Sequence, residues 1–412
     1  MSRYLIIADD FTGANDTGVQ LKRRGIATQV FLSSLGFQDF YMEKDSSKAL
    51  VIDTESRGLP GDEAYSTIAN TLKEIDFSSF SFVIKKVDST LRGNVAVEIK
   101  AIDDLYKSEL IIFAPALPDL GRTTLKGVHR LQGTPITLTE MGRDPKTPVK
   151  EDRLQEILKG AFQEEVIHVS LEEVESGNID LSKGRVFSFD AMENDHIKEI
   201  IRASMATGKR VLWVGSAALA DNIMELQKST DPVLSLIASI SSVTRKQVKY
   251  AESKGAKLVK VDIPALIEGT VKGKEYTQEA LEHLRAGRDT IVLSSASYDN
   301  EAYEKTLDLC KKIKMDIQEA ADLTQRFIGT LGEEILQQVK VSGIFLTGGD
   351  TAIGFFRKVQ AQGSNILGEV AIGIPIMTLT GGPFNGLKVI TKAGAFGGED
   401  AIHYSLRKLK EV

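Results

Sequence analysis

Short apolar runs recur along this chain and alternate with stretches of helical period. Tyr4–Ala8, Thr28–Leu32, Leu50–Asp53, Phe82–Val87 and Leu110–Ala114 read as strands, and Asp62–Ile75 and Asn94–Leu105 between them read as helices. Brief runs rich in branched residues, interleaved with helices, predict βα units and a mostly parallel sheet. Gly121 to Val149, rich in glycine and proline, reads instead as one long irregular stretch, with His129 in it as a structural hydrogen-bonder. The alternation resumes from Asp152 to Leu226, with strands at Arg185–Asp190 and Lys209–Val214. Gln227–Pro232 is short, polar and ends in proline, which marks a boundary. Beyond it, strands at Val233–Ser239, Lys257–Val261, Thr290–Ser294 and from Gly343, with helices at Thr277–Ala286, Glu301–Ile313 and Ile317–Val341, predict a second unit of the same kind. The expected fold class is therefore α/β, with two α/β domains, 1–230 and 231–412, each built on a mostly parallel sheet. A length of 412 residues agrees with two cores rather than one.

Polar residues gather where the first strands end. Asp9-Asp10 follows the first strand; Phe11-Thr12-Gly13 reads as a turn, with Asn15 or Asp16 capping the next helix. The later strands run into DTESRG (Asp53–Gly58), KKVDSTLRGN (Lys85–Asn94) and APALPDLGRTTLKG (Ala114–Gly127). In a parallel sheet these ends share one edge, where open α/β sheets bind ligands. That edge would gather Asp10, Arg57, Lys86, Asp88, Ser89, Arg92 and Arg122. Cations, hydroxyls and carboxylates together suit a small polyhydroxylated anion, because a guanidinium fork grips a carboxylate at two points.

The second unit carries a different grammar. Ser239, Ser241 and Thr244 cluster at a strand end. GIFLTGGDTAIG (Gly343–Gly354) runs an apolar strand into two glycines and a helix start, and Thr380–Gly398 holds six glycines in 19 residues. Backbone amides that approach closely at a helix N-terminus favour phosphate. One domain for a polar anion and one for phosphate suggest phosphoryl transfer across a cleft between them.

Composition narrows the field. A net charge of −6 argues against a nucleic-acid partner. The single cysteine, Cys310, excludes a disulfide framework and a cysteine-rich metal site. G-x-x-x-x-G-K-[ST] and His-x-x-x-His patterns are missing, and no G-x-G-x-x-G opens the first βα turn, which weakens a dehydrogenase reading. MSRYLIIADD reaches acidic residues too early for a secretory signal, and no run approaches the roughly 18 apolar residues of a membrane span, so the expected location is cytoplasmic with no membrane partner.

The strings IADDFTGANDTG, KKVDSTLRGN, APALPDLGRTTLKG, ASISSVTRKQ, LTGGDTA and VITKAGAFG, in order from residue 7 to residue 397, resemble the motifs of the four-carbon acid sugar kinases. NDTGVQL, DTESR and DPKTPV are most similar to the D-threonate branch of that family. The resemblance implies an N-terminal domain for the sugar acid and a C-terminal domain for ATP, with Mg²⁺. The reaction it implies is D-threonate plus ATP giving 4-phospho-D-threonate and ADP, with D-erythronate or a 3-oxo-tetronate as the alternative acid. Asp10, Arg57 and Asp88-Ser89-Thr90 look like substrate contacts, and Ser239, Gly348, Gly349, Asp350, Thr351 and Gly394 look like ATP contacts. Asp10 and Asp350 are the candidate proton acceptors. A homo-oligomer is compatible with the resemblance. A non-catalytic sugar-acid sensor is the remote alternative, disfavoured by the intact GGDT and TKAGAFG strings.

Overall fold

Strand β1 (Tyr4–Ala8) is buried along its whole length, as expected of a continuous apolar run at the centre of a parallel sheet. The computed structural model describes residues 3–32, 48–227 and 230–411, and the chain divides into two compact units, 1–229 and 230–411. The first unit continues with β2 (Ala27–Phe31), β3 (Lys48–Asp53), β4 (Phe82–Lys86), β5 (Leu110–Ala114), β6 (Arg122–Leu125), β7 (Val128–Leu131), β8 (Thr134–Pro135), β9 (Val166–Val169), β10 (Val186–Phe189) and β11 (Val211–Gly215). Eight of these strands form a sheet in the order β2-β3-β1-β4-β11-β5-β10-β9, with every pair parallel. Side chains alternate between its faces. Ile6, Ile84, Ile112 and Trp213 pack on one face, and Leu5, Ile7, Val83 and Leu212 on the other. The chain leaves β1 for β2 and β3 on one side and for β4 on the other. The connections that follow β1 and β4 therefore run to opposite sides, which makes a switch point at the carboxyl edge between them.

Two expectations need correction here. Asp10, not Asn15 or Asp16, caps the first helix, Phe11–Arg23: its backbone is extended (φ −148°, ψ 159°) and its carboxylate accepts the Gly13 N–H at 2.9 Å. Phe11-Thr12-Gly13 is thus the first helical turn. The stretch from Gly121 is not irregular either, since β6, β7 and β8 form a small antiparallel sheet. Its hairpins turn on Lys126-Gly127 and Gln132-Gly133, all four with positive φ (54°, 74°, 49° and 83°), the two-residue geometry that matches strand twist.

The second unit contains β12 (Val233–Ile237), β13 (Lys257–Val261), β14 (Thr290–Ser294), β15 (Gly343–Thr347), β16 (Gly363–Ala371), β17 (Ile374–Thr380) and β18 (Lys388–Lys392). Their order is β13-β14-β12-β15-β18-β17-β16, parallel through β18 and antiparallel beyond it. The chain leaves β12 for β13 and β14 on one side and for β15 on the other, so a second switch point lies between β12 and β15. Among the described residues no helix is long and apolar enough to cross a membrane.

Candidate functional site

At the first switch point the loops after β1, β3 and β4 converge on Arg57. Backbone bonds pin the β3 loop over the end of β1, with Thr54 N–H donating to the Ala8 carbonyl (3.0 Å) and Arg57 N–H to the Asp9 carbonyl (3.1 Å). Arg57 then grips two carboxylates. Its Nε and Nη2 donate to Asp9 (2.8 and 3.1 Å), and its Nη1 and Nη2 donate to Asp10 (both 2.7 Å). Four of its five guanidinium N–H groups are thereby committed. Burial alone would lower the Arg57 pKa, but hydrogen bonding to Asp9 and the charges of Asp9, Asp88 and Asp10 reverse that and raise it. The Asp9 side chain is 3% exposed and that of Asp10 is 25% exposed, so Asp10 is the carboxylate a ligand can reach. Burial opposes ionisation of Asp9, yet the charges of Lys85, Arg57 and Lys86 and the hydrogen bond from Arg57 hold its pKa low.

Beneath the hub lies a buried ion pair, Lys85 Nζ to Glu98 Oε2 at 2.6 Å. Glu98 Oε1 also accepts from Ser56 Oγ at 2.7 Å, which ties the pair to the Arg57 loop. Lys86, on the opposite face of β4, is buried and donates to the Val87 carbonyl (3.0 Å). Burial pulls its pKa down, against the charges of Asp9, Asp88 and Asp16. A Cβ on Gly13 would stand 2.7 Å from Asp10 Oδ1 and 3.1 Å from Lys86 Nζ, so both groups crowd onto bare helix backbone. Asp88 accepts from Arg92 Nε (2.7 Å) and from the Thr90 hydroxyl. Burial opposes its ionisation, but these bonds bring it down to about 2. Arg92 also approaches Asp144 at 3.6 Å.

Ser89 enters through its carbonyl, which accepts from His129 Nε2 at 2.9 Å. Burial pushes His129 down to about 4. The neutral ring therefore donates from Nε2, because a carbonyl cannot, and accepts the Thr124 hydroxyl at Nδ1 (3.0 Å). At the end of β3, burial pushes Asp53 up to about 6. Its Oδ1 accepts the Glu55 N–H (3.0 Å), and its Oδ2 has no hydrogen-bond partner among the described residues.

The structure thus brings together Asp10, Arg57, Lys86, Asp88, Thr90 and Arg92, with Ser89 present as backbone. Arg122, on β6, is not bonded to these residues among the described contacts; its Nη1 donates to the Leu120 carbonyl (2.6 Å). Sequence reasoning missed the Lys85–Glu98 pair. Its signal was present: Glu98 shares a helix face with Val95, Ile99 and Ile102, and Lys85 follows Phe82-Val83-Ile84 within a strand, so both are charges at core positions.

At the second switch point, Gly348 caps the helix Gly349–Lys358. Gly349 and Asp350 are exposed in its first turn, while Thr351 is buried. Gly348 N–H donates to the Lys392 carbonyl at 2.9 Å, joining the two glycine turns. Ser239 and Gly394 meet: a Cβ on Gly394 would lie 2.7 Å from Ser239 Oγ. Thr244 Oγ1 donates to the Gly394 carbonyl (3.0 Å) and lies 3.2 Å from Ser239 Oγ. Ser239, Gly348–Thr351 and Gly394 therefore sit on the neighbouring ends of β12, β15 and β18. Lys392 and Gln247, which sequence reasoning did not single out as site residues, are buried beneath them.

A model of a sugar-binding N-terminal domain matches residues 4–223, and one of a nucleotide-binding C-terminal domain matches residues 234–402. The D-threonate kinase of Salmonella typhimurium is 34% identical over 428 residues, which is 100% of this chain and 99% of that protein. The D-erythronate kinase of Heliobacterium modesticaldum is 28% identical over 99% of this chain and 98% of its own. A crystal structure from Bordetella bronchiseptica, of a domain of unknown function with bound citrate in a domain-swapped dimer, superposes with a TM-score of 0.68 at 27% identity, covering 99% of this chain and 98% of that one. The chain belongs to the family of four-carbon acid sugar kinases.

Proposed function

We propose that the protein is an ATP-dependent kinase that phosphorylates the C4 hydroxyl of D-threonate, giving 4-phospho-D-threonate and ADP. The observation that carries this reading is the presence, in one chain, of two switch-point sites with complementary chemistry. One is an arginine–carboxylate hub suited to a polyhydroxylated anion, and the other is a glycine-lined edge suited to phosphate. The 34% identity to a D-threonate kinase along the whole chain supports the choice of acid.

In this reading residues 1–230 take the acid and residues 231–412 take ATP. Arg57 is largely consumed by Asp9 and Asp10, and Arg92 is bonded to Asp88 through Nε, so Lys86 and the terminal N–H groups of Arg92 are the main donors left for the substrate carboxylate. Asp10 Oδ2 accepts one bond from Arg57 and keeps a lone pair for a substrate hydroxyl. In the chemical step the C4 oxygen bonds to the γ-phosphorus as the bond to the β,γ-bridging oxygen breaks. The hydroxyl proton passes to a carboxylate, for which Asp10 and Asp350 are the candidates. Among the described residues no three His, Cys, Asp or Glu side chains are grouped to hold a metal ion. A Mg²⁺ carried on the phosphates needs one or two protein carboxylates, a part that exposed Asp350 fits. Bound there it would neutralise charge on the transferring phosphoryl group.

The relative from Heliobacterium makes D-erythronate the second reading, with a 3-oxo-tetronate behind it, since one carbon's configuration or oxidation separates these acids. A cytoplasmic setting supplies the ATP that the reaction consumes. Self-association is also proposed, by analogy with the swapped Bordetella dimer; light scattering on the purified chain tests it. Phosphorus NMR of the product tests the chemistry. A phosphomonoester split into a triplet by the C4 methylene protons supports transfer to C4, whereas a doublet, or inorganic phosphate alone, contradicts it.

A further inference from the structure

Lys392 is the last residue of β18 and is 2% exposed. Among the described residues it has no carboxylate partner. Its ammonium is instead solvated by backbone, donating to the carbonyls of Ala393 (3.0 Å), Gly394 (3.0 Å) and Phe396 (3.3 Å). From the helix Ser242–Ser253, buried Gln247 Nε2 donates to the carbonyls of Phe396 (3.0 Å), Gly397 (3.1 Å) and Gly398 (2.8 Å). Five carbonyls of one loop thus point inward, at two buried donors. In a trans peptide the C=O and the following N–H point in opposite directions, and the structure has no cis peptide. The N–H groups of Gly394, Ala395, Gly397, Gly398 and Glu399 are therefore turned away from Lys392 and Gln247. No protein acceptor meets any of them among the described residues, and residues 395–399 are exposed.

We propose that Lys392 and Gln247 are positioning residues that hold the loop 393–398 inside out, with its amides presented as a nest for the phosphates of ATP. Successive outward N–H groups make an anion-binding concavity. The unpaired ammonium behind them adds positive potential without touching the ligand. This inference rests on the nucleotide-binding reading of the second unit and explains how that unit binds phosphate with no P-loop lysine. Burial lowers the Lys392 pKa to about 8, so the inward pull on the carbonyls weakens within an accessible pH range.

The test is calorimetric titration of the full-length chain with ADP, with ATP and separately with D-threonate. The proteins compared are wild type, Lys392→Met and Gln247→Leu. Lys392→Met should bind both nucleotides about tenfold more weakly or worse, the loss expected from removing charge-assisted hydrogen bonds, and bind D-threonate as wild type does. Gln247→Leu should show the same selectivity with a smaller loss. Wild-type ADP affinity should fall as pH rises through about 8, and the Lys392→Met protein should lose that dependence. Folded Lys392→Met with wild-type ADP affinity overturns the proposal. If that variant does not fold, Gln247→Leu with wild-type ADP affinity overturns it equally. Wild type that binds neither nucleotide overturns the kinase reading itself, and this inference with it.

Discussion

At the scale of single residues, the decisive feature is that Arg57 is spent on the protein before any ligand arrives. Asp9 is almost wholly buried, and its charge is tolerated because Arg57 and Lys85 face it. Removing one partner of a buried ion pair leaves the other uncompensated, which costs about 3 kcal/mol or more. Arg57→Ala should therefore lower the unfolding free energy measured in urea by an amount of that order as well as weaken acid binding. Unchanged stability with weakened acid binding would show instead that Arg57 serves the ligand rather than the hub.

Two other residues set opposite pH dependences. His129 falls from 6.5 to about 4 on folding, so its contribution is present above about 6.5 and is lost as pH drops through about 4. Asp53 rises from 3.8 to about 6, so its contribution is present below about 3.8 and is lost as pH climbs through about 6. Between about 4 and 6 the two slopes oppose each other. In that window Asp53→Asn should destabilise steeply on acidification and His129→Gln should not, measured as urea midpoints. Parallel profiles for the two variants would contradict these assignments. Neither shift was readable from sequence, because His129 and Asp53 owe them to burial that only the folded loops create.

At the scale of elements, Asp10 both caps a helix and holds Arg57. Sequence placed it at a strand end and missed the cap, since Asn15 and Asp16 offered equally good capping side chains. The extended backbone at Asp10 decided between them. Asp10→Ala should lose about 1 kcal/mol as a cap and abolish D-threonate binding, while ADP binding, proposed for the other unit, stays at the wild-type level. Loss of ADP binding in a folded Asp10→Ala protein would contradict the separation of the two sites. The β6–β8 hairpins went unread for a simpler reason. Their strands are four residues or fewer, and Lys-Gly and Gln-Gly are weaker turn signals than Asn-Gly.

At the scale of the whole molecule, the alternation of short apolar runs with helices was enough to read two α/β units. Both interiors are parallel sheets whose strands are buried on both faces, and such strands announce themselves as continuous apolar runs. The β16–β17 hairpin escaped because β16 is exposed along nearly all its length, leaving no apolar pattern to see. The strand-end clusters were readable because polar loops follow the carboxyl ends of the strands in both sheets, the edge where open α/β sheets bind ligands. The buried charges supporting them were not, since a strand lysine and a helix glutamate become partners only in three dimensions.

A kinase of this family couples phosphoryl transfer from ATP to the presence of a four-carbon acid. Acid-dependent ADP release, followed with D-threonate, D-erythronate, L-threonate and 3-oxo-tetronates in turn, tests it most directly. Turnover should require an acid, with D-threonate giving the highest kcat/KM. ADP release that is absent with all of these acids, or that proceeds equally without any, would contradict it.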